Sequence, residues 1–126
     1  MYKKDNAIWN KSFDFAVRIV KLGQYLQENR HEYILSKQVV KSGTSIGANI
    51  REAMRGQSTP DFYAKLSIAL KEAEETCYWL ELLRATAYIS ESEFVSIYND
   101  CEELLKLLVA ITKTVKTSQK TKTLNS

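Results

Sequence analysis

Four groups of residues have types and spacings that could do chemistry. Glu28-x-x-His31 is one half of the motif that holds a di-iron centre inside a helical bundle, a centre that needs the motif twice and two further glutamates. His31 is the only histidine, so the other half is missing. The same shortage removes His-based zinc catalysis and the Ser-His and Cys-His nucleophile pairs. Cys77 and Cys101 would need exposed, electropositive surroundings to act as thiolates, and both fall on apolar helical stripes instead. Gly43-Thr44-Ser45-Ile46-Gly47 has the composition of a phosphate loop but lacks its Gly-Lys-Ser/Thr ending and lies within a helical pattern. These residues predict no catalytic site, no metal, no cofactor and no enzyme.

The fourth group is residues 36–56, and it organises the rest. Wound at 100° per residue, this stretch has three faces. Val39, Gly43, Ile46, Ile50 and Met54 form an apolar stripe, and Gln38, Ser42, Ser45, Asn49 and Glu52 form a stripe of short hydrogen-bonding groups. Lys37, Lys41, Arg51 and Arg55 form a basic one. A helix between a core and water needs only two faces, so the polar stripe points to a second surface. In one reading Asn49 and Glu52 bond across to another helix, to Lys71 or to a neighbouring subunit, and set alignment. In the other they line a polar binding site. The first is preferred, because buried polar groups need partners wherever they occur. The basic stripe offers salt-sensitive phosphate contact, set against the ordinary role of charge facing solvent.

The elements that position these groups are helices. The chain has 126 residues, 44% hydrophobic, with four Gly and one Pro, which suits one all-α domain with its own core. Apolar periodicity predicts helices over residues 7–29, 36–55, 60–88 and 91–116, an antiparallel up-down-up-down four-helix bundle over 1–116, and a polar, disordered tail over 117–126. Asn6 is the predicted cap of the first helix, Ser36 of the second and Thr59 of the third, with Pro60 following, while Ser90-x-x-Glu93 is a capping box for the fourth. Gly56 is the predicted left-handed end of the second helix. Ile8 or Trp9, Phe13, Ala16, Ile19, Val20, Gly23 and Leu26 form the predicted inner side of the first helix. In the third, Phe62, Leu66, Ala69, Ala73, Cys77, Leu80 and Ala87 form the inner stripe, and Ile68, Trp79, Leu82 and Leu83 are an apolar surplus that implies a second buried side.

The short turn near residue 89 puts Cys77 and Cys101 at equal height, close and reduced, and a turn near residue 33 puts Gly23 level with Gly43. The net charge of +3 is unevenly placed: residues 91–112 carry five acids against Lys106, and residues 113–126 carry only lysines. No apolar run approaches the roughly 20 residues that span a bilayer, and no signal core opens the chain, so no membrane partner and a cytoplasmic location are expected.

Tyr33-x-Leu35-Ser36-x-Gln38, residues 42–53 (SGTSIGANIREA), Asp61-Phe62 and residues 66–83 (LSIALKEAEETCYWLELL) resemble the bacterial four-helix-bundle proteins first described in intervening sequences of large-subunit ribosomal RNA. The resemblance covers roughly residues 8–115. It implies a ring-like homo-oligomer, a pentamer by preference, with no established enzyme activity. A related branch, the accessory proteins of diversity-generating retroelements, is more basic and contacts nucleic acid and a reverse transcriptase. By this resemblance Asn49, Glu52, Glu72 and Trp79 stand at signature positions with a role in assembly. The predicted function is a non-enzymatic oligomeric bundle contacting RNA or DNA through Lys37, Lys41, Arg51 and Arg55, with Ser45, Asn49, Glu52, Ile68, Glu72, Trp79 and Leu83 at oligomer or inter-helix contacts. The alternative is a scaffold whose partner is another protein.

Overall fold

The computed structural model describes residues 6–56 and 58–125, with side chains described as far as Thr117. Its elements are α1 (Ala7–Arg30), α2 (Leu35–Met54), α3 (Thr59–Ala85) and α4 (Glu91–Asn125), and no strand occurs among the described residues. This is an all-α four-helix bundle. Asn6 caps α1 by accepting the Trp9 N–H at 3.1 Å. At the start of α4 the Ser90 Oγ accepts the Glu93 N–H at 3.2 Å while the Glu93 carboxylate accepts the Ser90 N–H at 3.3 Å, a reciprocal pair that satisfies two backbone donors.

The other helix ends depart from the sequence reading. Ser36 does not cap α2: it lies inside the helix, fully buried, and its hydroxyl accepts from Gln27. Glu32 caps it from outside, its carboxylate accepting the N–H groups of Ile34, Leu35 and Ser36 at 3.1, 3.0 and 2.7 Å. A carboxylate at a helix N-terminus meets both the free donors and the positive end of the dipole. Ser58, not Thr59, caps α3: Ser58 is extended and its Oγ accepts the Asp61 N–H at 3.2 Å. Gly56 is not left-handed, because α2 ends at Met54 and Arg55 turns the chain with φ −100°. Gln57 lies outside the described residues.

α3 stops at Ala85 instead of continuing to Tyr88. Ala87 adopts φ 62°, and the N–H groups of Ala87 and Tyr88 close back onto the carbonyls of Arg84 and Leu83 at 3.0 and 2.9 Å. That is the left-handed helix ending usually given to glycine, and it leaves Ala87 exposed, not on the inner stripe. Arg30 braces the turn from α1, donating to the carbonyls of Ala87 and Tyr88 at 3.1 and 2.9 Å and lying over the Tyr88 ring.

α4 runs to Asn125, so the predicted tail from residue 117 is helical in its described part; Ser126 lies outside it. No Gly or Pro follows Pro60 to interrupt the pattern, and the Thr114 and Thr117 hydroxyls donate to carbonyls one turn back.

The core joins Phe15, Ile19 and Leu26 of α1 to Val39, Ile46 and Ile50 of α2, Leu66, Leu80 and Leu83 of α3, and Leu104 and Leu108 of α4. Phe13 and Val20, expected inside, are 52% and 41% exposed, while Phe15 is 2% exposed. The apolar arc of α1 is wider than one face, so spacing could not choose between them; the close seat of Ile19 against Gly43 sets the rotation. A Cβ at Gly43 would stand 2.8 Å from Ile19. One at Gly23 would collide with Val40, so the two glycines each face a side chain of the other helix and do not face each other. Cys77 and Cys101 lie as predicted, both free and buried, with sulfurs 3.2 Å apart.

Candidate functional site

The residues singled out for recognition converge on the outer sides of α2 and α3. Ser42, fully buried, accepts a hydrogen bond from Thr76 of α3 at 2.9 Å, which pins the two helices at mid-length. Thr76 escaped the sequence reading, since a threonine on an apolar stripe carries no signal until its partner is known. One turn further out on α2, Ser45 donates to the Lys41 carbonyl at 2.7 Å and Asn49 to the Ser45 carbonyl at 2.8 Å. Glu52 reaches Lys65 of α3 at 3.5 Å, so the cross-helix contact is to Lys65 and not to Lys71. The polar stripe is therefore tied down within its own subunit, while Asn49 and Ser45 remain half-exposed.

Across from that stripe stand Ile68, Glu72 and Trp79 on one helical side of α3. Ile68 is 41% exposed. Trp79 packs partly against its own core and edge-on to Tyr78, and its indole N–H is buried with no acceptor among the described residues. Partial burial first, then the neighbouring Glu75 carboxylate, hold the Glu72 carboxyl above its ordinary value, and Lys41 and Lys71 oppose that shift. Leu83, grouped with these by sequence, is fully buried in the subunit core and serves inter-helix packing alone.

The basic stripe of α2 is less uniform than its spacing suggests. Lys37, Lys41 and Arg55 are exposed. Arg51 is half-buried, its guanidinium 4.5 Å from the Trp9 ring and 5.0 Å from the Phe13 ring, held by cation–π attraction to α1. Beyond it, Phe13, Val17 and Val20 leave an exposed apolar ridge along α1, of which Phe13 and Val20 are expected inside from the sequence.

The chemistry candidates are dispersed. His31 is exposed in the α1–α2 connection beside Tyr33. The hydrogen bond between the Cys77 and Cys101 sulfurs, then burial, push the Cys101 thiol well above the ordinary thiol range, which disfavours a Cys101 thiolate at neutral pH. Among the described residues no group of three or more His, Cys, Asp or Glu is placed to hold a metal ion, and no helix is long and apolar enough to cross a membrane.

A family model described as 23S rRNA-intervening sequence protein matches residues 4–110. The chain belongs to this family. A crystal structure of a protein of unknown function from the S23 ribosomal protein family of Bacteroides thetaiotaomicron is 56% identical, with a TM-score of 0.85 over 87% of this chain and 98% of that one. No curated protein matches. For this member of the intervening-sequence family, membership and four-helix fold are thus established together, and both leave its biochemical task to be argued from its surfaces.

Proposed function

We propose that the chain is a non-enzymatic bundle protein that works as an assembly of identical copies, a ring-like homo-oligomer with five subunits favoured. The antiparallel up-down-up-down arrangement within each copy is supported by contacts whose numbers rise on one helix as they fall on the next: Ser12 with Gly47 and Ile19 with Gly43, then Lys11 with Glu103 and Arg18 with Asp100. The observation that carries the assembly is apolar surface left in water by a single subunit. Ile68 stands out on α3, about three turns before half-buried Trp79 on the same side of that helix, and Phe13, Val17 and Val20 stand out on α1. Covering such surface is favourable by about 25 cal/mol per Å², and unlike faces of one subunit suit head-to-tail packing into a closed ring. The number five rests on the family resemblance. A cytoplasmic setting is supported by the two unlinked core thiols, which reducing compartments preserve.

The mass of the protein in solution tests this reading. A multiple of the chain mass is expected, and Ile68→Asp, on an exposed position, is expected to yield folded monomer. A monodisperse single chain for the unaltered protein would end the proposal.

A second reading, contact with RNA or DNA, is favoured by the exposure of Lys37, Lys41 and Arg55 on one side of α2. Titration of labelled RNA and DNA at low salt tests it, with loss of binding expected for Arg51→Glu combined with Arg55→Glu if α2 is the contact. A protein partner recovered in stoichiometric amount after nuclease treatment would favour the scaffold alternative instead.

A further inference from the structure

The positive charge of this chain is not spread over the bundle. Residues 1–103 carry thirteen Lys and Arg against fifteen Asp and Glu, whereas residues 104–126 carry five lysines and no acid. The bundle proper is thus slightly acidic, and the whole excess sits on the C-terminal part of α4. That helix has 35 residues, against 24, 20 and 27 in α1, α2 and α3. Its last buried side chain among the described residues is Thr112, yet the helix continues to Asn125, roughly 20 Å further at 1.5 Å per residue. Lys113, Thr114, Lys116 and Thr117 are exposed.

Its lysines are ordered. Lys106, Lys113 and Lys116 are separated by seven and three residues, which places them on one helix face, turned away from the stripe of Phe94, Ile97, Cys101, Leu104 and Leu108 that enters the core. In the sequence Lys120 follows one turn later. Among the described residues no ion pair engages Lys106, Lys113 or Lys116. The α2 stripe likewise forms no ion pair among the described residues, but its Arg51 is stacked on rings and Glu72 of α3 feels the charge of Lys41. The family match ends at residue 110, so most of the extension lies beyond the part of the chain shared with that family model.

The surroundings of these lysines select the partner. A membrane-surface helix needs an apolar face opposite its charges, and between Lys113 and Lys122 the sequence has only Val115. It has instead Thr114, Thr117, Ser118, Gln119 and Thr121, residue types that hydrogen-bond phosphate oxygens. No aromatic residue follows Tyr98, so base stacking has no platform here. We infer that the lysine face of the α4 extension, Lys106, Lys113 and Lys116, docks the phosphate backbone of a nucleic acid without selecting bases. The inference rests on the nucleic-acid reading above and moves its main contact from α2 to α4.

The experiment follows the binding of a labelled DNA duplex and a labelled single-stranded RNA to the full chain as salt is raised. Neutralising three phosphates per chain lowers duplex affinity about forty-fold between 50 and 200 mM salt. Lys113→Gln with Lys116→Gln, two exposed positions that keep helix propensity, is expected to weaken binding about tenfold and to flatten that salt slope. Lys37→Gln with Lys41→Gln is expected to change it less than about twofold. If the α2 pair loses binding and the α4 pair keeps it, the assignment to α4 is overturned while nucleic-acid contact stands. If the unaltered chain binds neither nucleic acid at 50 mM salt, both fall. Loss of binding to anionic phosphatidylserine vesicles in the α4 pair, with nucleic-acid binding intact, overturns it as well.

Discussion

Glu32 is the residue whose role the structure most changes. In sequence it sits in a polar break between helices; in the bundle it is 8% exposed and receives three backbone N–H groups of α2. Loss of a helix-capping acceptor costs about 1–2 kcal/mol, so Glu32→Ala is expected to lower unfolding stability by that amount, read by chemical denaturation. Tyr98 carries a pH signature. Burial first, then the hydrogen bond it donates to Glu81, push its phenol up to about 12. An unfolded tyrosine titrates near about 10, so the folded state holds the proton more tightly. The stability linked to that proton is complete below about pH 10 and is lost as pH rises from there through about 12. Tyr98→Phe is expected to remove this part of the alkaline decline in a pH series of melting curves; an unchanged profile would show that the phenol does not carry it.

At the scale of elements, the contact of α1 with α2 is governed by how near two backbones can come. Gly43 and Gly47 look equivalent in sequence, one turn apart in one helix. They are not equivalent in space: a Cβ at Gly43 meets Ile19 at 2.8 Å, and one at Gly47 stands 3.4 Å from Ser12, an ordinary contact. Gly43→Ala is therefore expected to destabilise the protein by about 1–3 kcal/mol through overpacking. Gly47→Ala is expected to be neutral or to stabilise by up to about 1 kcal/mol through helix propensity. Equal effects in the two melts would contradict this placement of the helices. Capping motifs closed by neighbouring residues, Asn6 with Trp9 and Ser90 with Glu93, were legible beforehand. The ends at Glu32 and Ser58 were not, because rival caps at Ser36 and Thr59 stood nearby, and the end at Ala87 was not, because an alanine carries no signal for a left-handed turn.

For the whole molecule, the question is what covers the surface one bundle leaves open. Copies that bind each other when folded are stabilised by mass action, so melting temperature is expected to rise with protein concentration. A melting temperature independent of concentration over a hundredfold range, about 2.7 kcal/mol of mass action for a folded-state ligand, would speak against assembly. Trp79 is a poor probe of that contact, since it is also part of its own core, whereas Ile68 can be altered from outside.

Local periodicity was enough to determine four helices, the apolar stripe of α2 and the level at which Cys77 meets Cys101, because each depends on spacing along one helix or across a short turn. The family signature was legible for the same reason, lying in contiguous runs. Tertiary structure decided the rest. It chose Phe15 over Phe13 for the core, gave Arg51 to the Trp9 and Phe13 rings, tied Ser42 to Thr76, and carried α4 on to Asn125. A helix with apolar residues around more than half its circumference has several rotations of similar burial energy, and only the fit against a neighbouring backbone separates them.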